Sequence, residues 1–144
     1  MILVTHKPGE PREPLDVNFA ASQVLDPVWF KTWTKLGLTV IAVQFDARLG
    51  SPIYAHPGIE EALGLELQEI GAGHFDSTFW LTGSAWHFFL CVDIGRAVRR
   101  LKSQLEIRGL LSVANILLAE SPDNLTLWYS PDASLIGRAV EPSE

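Results

Sequence analysis

The chain has a single cysteine, Cys91, in 144 residues, so an internal disulfide is excluded. A domain without that staple is held by its core, and a lone thiol fits a reducing compartment, so a cytoplasmic location is expected. Long apolar runs are missing too. The longest, Leu110 to Ala119, is interrupted by Ser112 and Asn115 and falls well short of the roughly 20 residues a spanning helix needs. The apolar opening Met1 to Val4 is too short for a signal-peptide core, and no membrane partner is expected.

Bases are absent from the middle third. No Lys or Arg lies between Leu49 and Gly95, while Glu60, Glu61, Glu66, Glu69, Asp76 and Asp93 do. Those six acids equal the whole net charge of −6, leaving eleven acids and eleven bases elsewhere. Five of the bases, Arg96, Arg99, Arg100, Lys102 and Arg108, crowd onto one predicted helix. An acidic chain with one basic helix has little of the footprint of a nucleic-acid binder, so no such partner is expected. Two readings remain: solvated charged faces, or an acidic surface at Glu60 and Glu61 and a basic one at Arg96, Arg99 and Arg100, meeting a protein partner or a second copy.

Chemical motifs are absent as well. There is no glycine-rich phosphate loop, no Cys-x-x-Cys, no His-Glu-x-x-His and no Gly-x-Ser-x-Gly, so no cofactor is expected.

What is present is core material: 47% hydrophobic and 19% charged residues, enough for one domain of ordinary size. The clearest stretch is Trp86 to Ser130, which reads as a β-α-β-β unit. Trp86 to Val92 is a strand, Asp93 a helix cap, Ile94 to Arg108 a helix and Gly109 its stop. Ser112 to Glu120 and Leu125 to Ser130 form a hairpin closed by Ser121-Pro-Asp-Asn124. In the strand, Trp86, Phe88, Leu90 and Val92 alternate with His87, Phe89, Cys91 and Asp93; both sets are largely apolar, which predicts a central strand covered on both faces. The helix offers Ile94, Ala97, Val98, Leu101 and Leu105 as its apolar stripe.

The first half is less sharply written. Ile2 to Lys7 reads as a short strand, Pro8 to Pro14 as a loop, Asp16 to Leu25 as a helix, and Val28 to Leu36 as a second helix with Trp29, Trp33 and Leu36 along a core stripe. Leu38 to Ala47 is a strand, with a return strand at Ile53 to His56. A short helix is expected at Ile59 to Leu63, a brief strand at Leu65 to Ile70, a break at Gly71-Ala-Gly73, and a hairpin strand at Thr78 to Leu81. Placing Gly37 over Gly109 superposes the helix ends and the strands after them, which suggests two pseudo-repeats, about 1–72 and 73–144. The expected class is α+β: an antiparallel sheet with helices on one face, ferredoxin-like or built from two β-α-β-β halves sharing a core.

Candidate site residues are few. His74 and Asp76 would share one side of a strand, and His56 lies at an edge; together they suggest weak catalytic or metal-ligand candidates, without a named third ligand. Asn115 is an unexpected amide on an apolar strand, either bonded to a neighbour or lining a pocket. Trp80, Trp86, Trp128 and Tyr129 would line that pocket. The ranking that follows is a non-catalytic binding or assembly module, self-association included, then a small-ligand pocket, then a metal-assisted enzyme on His74 and Asp76.

Overall fold

The computed structural model describes residues 15–16, 27–46, 58–81, 84–121, 124–131 and 136–137. Five strands make one antiparallel sheet: β2 (Thr39–Asp46), β3 (Gly73–Leu81), β4 (Ser84–Cys91), β5 (Ala114–Ser121) and β6 (Asn124–Tyr129), in the order β3-β4-β2-β5-β6. Two short strands, β1 (Leu15–Asp16) and β7 (Ile136–Gly137), pair separately and in parallel. The helices are α1 (Pro27–Lys35), α2 (Ile59–Glu69) and α3 (Ile94–Ile107). The class is α+β, as the sequence pattern implies.

Two crossovers interleave. β2 and β3 run parallel with β4 between them, joined through α2; β4 and β5 run parallel with β2 between them, joined through α3. The two connections step in opposite directions from strands that point in opposite directions. Right-handed crossing then sets both helices on the same face. That face buries Ile41, Val43, Phe89 and Ile116 against Leu63 and Leu67 of α2 and Leu101 and Leu105 of α3. The second face buries Val40, Ala42, Trp86, Phe88, Leu117 and Leu125.

The expected central strand is β4, with all eight residues buried, and its alternation divides Phe88 and Leu90 from Phe89 and Cys91 across the two faces. In α3 the Asp93 carboxylate accepts from the Arg96 amide at 3.1 Å, Gly109 has φ +73°, and Ala97, Val98, Leu101 and Leu105 are buried. The strand expected at Leu38 to Ala47 is β2, Thr39–Asp46, and it lies directly beside β5, with Val40 opposite Ala119. The opening and return strands of the first half, the Pro-rich loop and the turn residues 122–123 lie outside the described residues, as does the helix expected at Asp16 to Leu25 except for Asp16, which belongs to β1.

Three expectations are corrected. The first concerns α2, which runs unbroken through Gly64 where a short helix and a strand were expected. Ile59, Leu63 and Leu67 recur every fourth residue and are buried, a helical stripe rather than a strand. Gly64 marks close approach instead of an end: a Cβ there would stand 2.7 Å from the Cβ of Phe75 on β3. The second is β3, which begins at Gly73, inside the expected break. The third is α1. Phe30 and Trp33 pack on the second face, so this helix lies opposite α2 and α3, while Trp29 and Leu36 stay exposed at 58% and 68%. A short helix with no fully buried residue covers the sheet with only part of its aromatic stripe.

Two substitutions test this packing. Glycine to alanine inside a helix ordinarily stabilises by roughly 1 kcal/mol. Gly64→Ala is expected to destabilise instead, by about 1–3 kcal/mol through overpacking, as measured by urea denaturation; a more stable variant would show that α2 does not press on β3. Leu101→Ala should cost about 2–5 kcal/mol by the same assay, and Leu101→Asp should abolish the cooperative transition.

Candidate functional site at the outer edge of strand β3

β3 ends the sheet, and among the described residues only β4 pairs with it. Its course is irregular. Phe75 stands opposite Phe89 and Ser77 opposite Phe88, so Asp76 is the extra residue of a β-bulge. A bulge shifts the alternation by one. Phe75 therefore faces α2, and so do Thr78 and Trp80 beyond it, whereas Phe79 faces the other way against Phe88 with ring centroids 5.8 Å apart. Phe79 and Trp80 are exposed at 38% and 52%.

The expected His74–Asp76 pair is thereby altered. Both residues are exposed, and the Asp76 carboxylate accepts from the Ser77 hydroxyl at 2.9 Å. No group of three His, Cys, Asp or Glu side chains suited to a metal occurs among the described residues, so the pair has no third ligand there. His56 lies outside the described residues.

The histidine with a built environment is His87 on β4, directly opposite Thr78. It is 2% exposed, its Nδ1 lies 2.7 Å from the Thr78 hydroxyl, and the rings of Phe45 and Trp80 meet it edge to face. Burial pushes its pKa down to about 4, against a smaller opposing pull from the Glu60 carboxylate, 3.9 Å from the same nitrogen. The ring is neutral at pH 7. The hydroxyl bond forms with either tautomer, donating to a bare Nδ1 or accepting from Nδ1–H. A nucleophile and base need the orienting carboxylate on the opposite ring nitrogen. Here Thr78 and Glu60 meet the same one, so the arrangement holds the ring in place without activating the hydroxyl. Sequence reading passed over His87 because its neighbours in the chain are apolar and its partners lie on β3 and α2.

The proposed aromatic pocket is divided by the sheet. Trp80 is on β3 at one edge, and Trp128 and Tyr129 are on β6 at the other. Trp86 is buried on the second face, its indole N–H donating to the Ser84 hydroxyl at 2.9 Å. Asn115 is buried, and its amide donates to Gln44 Oε1 at 2.8 Å, while Gln44 Nε2 donates to Asp46 Oδ2 at 3.1 Å. The order of that chain is fixed at one end. Gln44 turns its NH2 to Asp46 and its oxygen to Asn115. Asn115 then presents its own NH2, and its Oδ1 is left without a partner among the described residues.

The charged candidates lie along α2 and α3. Arg100 meets Glu66 at 2.7 Å and Glu69 at 3.7 Å, and Arg96 donates to the carbonyl of Ile70 at the end of α2. Two of the three arginines expected to serve a partner thus join the two helices, and Arg99 is exposed. Outside β3, a groove of about 300 Å³ is lined by Glu61, Gly64, Leu65 and Gln68 of α2 and by Phe75. Leu65 is 64% exposed on its wall.

The depressed His87 pKa fixes the sign of a pH effect. Above pH 6.5 the ring is neutral folded or unfolded. Between 6.5 and about 4 the unfolded chain takes up the proton and the folded one does not, so stability falls as pH falls through that window. The loss approaches at most roughly 1.4 kcal/mol per pH unit. Urea midpoints taken from pH 7.5 to 4 should show this fall flattened in His87→Gln; the same slope in both proteins would remove His87 as its source.

Comparison of the chain with protein-family models, with curated proteins and with solved structures finds no match.

Proposed function

We propose that this chain is a non-catalytic protein-binding module that receives a partner strand at the outer edge of β3. The observation that carries this reading is the state of that edge. β3 has no pairing strand on its outer side among the described residues, and Phe79, Trp80 and Leu65 stand exposed around it. An edge strand offers a row of backbone donors and acceptors, and exposed apolar side chains beside it supply what strand addition needs. The opposite edge is less available. On β6, Leu125 and Leu127 are buried, and the Tyr129 ring lies under Lys102 with its hydroxyl donating to the carbonyl of Leu111 at 3.2 Å.

A photo-cross-linking side chain placed at Trp80 or Leu65 should capture a partner inside the expressing cell, whereas the same group at Ser103, exposed on α3, should not. Adduct mass read by gel and mass spectrometry separates a doubled chain from a different protein. Equal yields from all three positions, or none from Trp80 and Leu65, would count against the β3 edge.

A further inference from the structure

The strand-addition reading leaves the occupant open, and the surroundings of β3 narrow it. Because Gly64 has no side chain, α2 lies close against Phe75, and its Glu61-Gly64-Leu65-Gln68 stripe forms a wall along the sheet edge. A strand laid beside β3 turns alternate side chains toward α2, and the one nearest Phe75 enters the groove next to Leu65. That position favours an aliphatic side chain. Its surroundings are acidic: Glu61 lines the groove and is exposed, Asp76 is exposed on the strand, and neither meets a Lys or Arg among the described residues. The chain itself supplies no base between Leu49 and Gly95. Among the described residues, the bases that reach α2, Arg96 and Arg100, act at its far end on Ile70, Glu66 and Glu69.

We infer that the β3 edge takes an extended segment of another protein in which aliphatic residues alternate with Lys or Arg. The inference rests on the strand-addition reading and adds the chemistry of the partner. A second copy of this chain fits less well. Two-fold pairing of β3 with itself lays two α2 stripes side by side on one face, each bringing Glu61, and sets the two bulged Asp76 residues near each other, with no base from the described residues of either copy. Like charges facing across a strand pair are destabilising. A basic segment instead brings cations to an edge that carries two carboxylates.

The test uses the isotope-labelled full-length chain and two end-blocked peptides, Lys-Val-Lys-Val-Lys-Val-Lys and Glu-Val-Glu-Val-Glu-Val-Glu, with the amide resonances of Gly73–Leu81 followed by NMR. The lysine peptide should shift those amides and bind about tenfold or more tightly than the glutamate peptide at low salt. The difference should shrink at 0.5 M salt, where screening acts within about 4 Å. Glu61→Lys combined with Asp76→Lys, both exposed and so compatible with folding, should reverse the preference. Equal binding of the two peptides at β3 would overturn the charge assignment and leave strand addition standing. Absence of any shift at β3 with either peptide, in a monomeric protein, would remove strand addition as well. A doubled mass with β3 amides protected before peptide is added would assign the edge to a second copy and overturn the inference.

Discussion

Strands β2 and β4 must be dry on both faces, and the other elements are disposed around that requirement. In β2 every residue from Val40 to Asp46 is buried, and in β4 every residue is. A sheet with two such strands needs cover above and below. The two interleaved crossovers deliver α2 and α3 to one face, and α1 contributes Phe30 and Trp33 to the other. Exposure is left to the margins, and it is uneven between them: β3 shows Phe79 and Trp80, while β6 keeps Leu125 and Leu127 inside.

The same requirement makes each polar side chain on the central strands a problem to be solved. A buried donor or acceptor without a partner costs about 1–3 kcal/mol. The second face answers with a directed chain in which the Asp46 carboxylate sets the orientation of Gln44, and Gln44 that of Asn115. The first face answers by keeping His87 uncharged, with one hydroxyl partner and aromatic rings around it. Cys91, on that same face, needs no partner; burial pushes its thiol up to about 12, and it behaves as a small apolar side chain.

The fold was legible where a local pattern carried its own cause. Asp93 and Gly109 mark the ends of α3 because capping is a property of adjacent residues, and the two-sided burial of β4 is written in the run Trp86 to Cys91, apolar but for His87. Gly64 misled because its role is a contact with Phe75 on another element, and nothing in the neighbouring residues distinguishes such a glycine from a helix stop. The site was less legible for the same reason. His74 and Asp76 stood out by their spacing, yet a bulge that consumes Asp76 arises from pairing with β4. His87 was hidden among aromatics while its partners came from two other elements. The aromatic pocket failed to assemble because residues grouped by type were distributed by strand order to opposite edges and faces.

The basic helix, for which the sequence leaves both a solvated face and a contact surface open, has a different consequence once its partners are known. Arg96 and Arg100 tie α3 to the C-terminal part of α2, and Gly64 lets the middle of α2 settle on Phe75. The angle of α2 over β3 is thereby held at two places by different kinds of contact. The groove outside them is a consequence of that fixed angle, formed before any ligand arrives. A preformed groove lowers the ordering cost of binding, and it lies along the edge of the sheet at β3, beyond which no described strand pairs. If the β3 edge receives a partner strand as proposed, charge on α3 acts on recognition through the position of α2, and charge on α2 acts directly. On that proposal the acidic middle third and the basic helix, opposed in sequence, serve the same edge in these two ways.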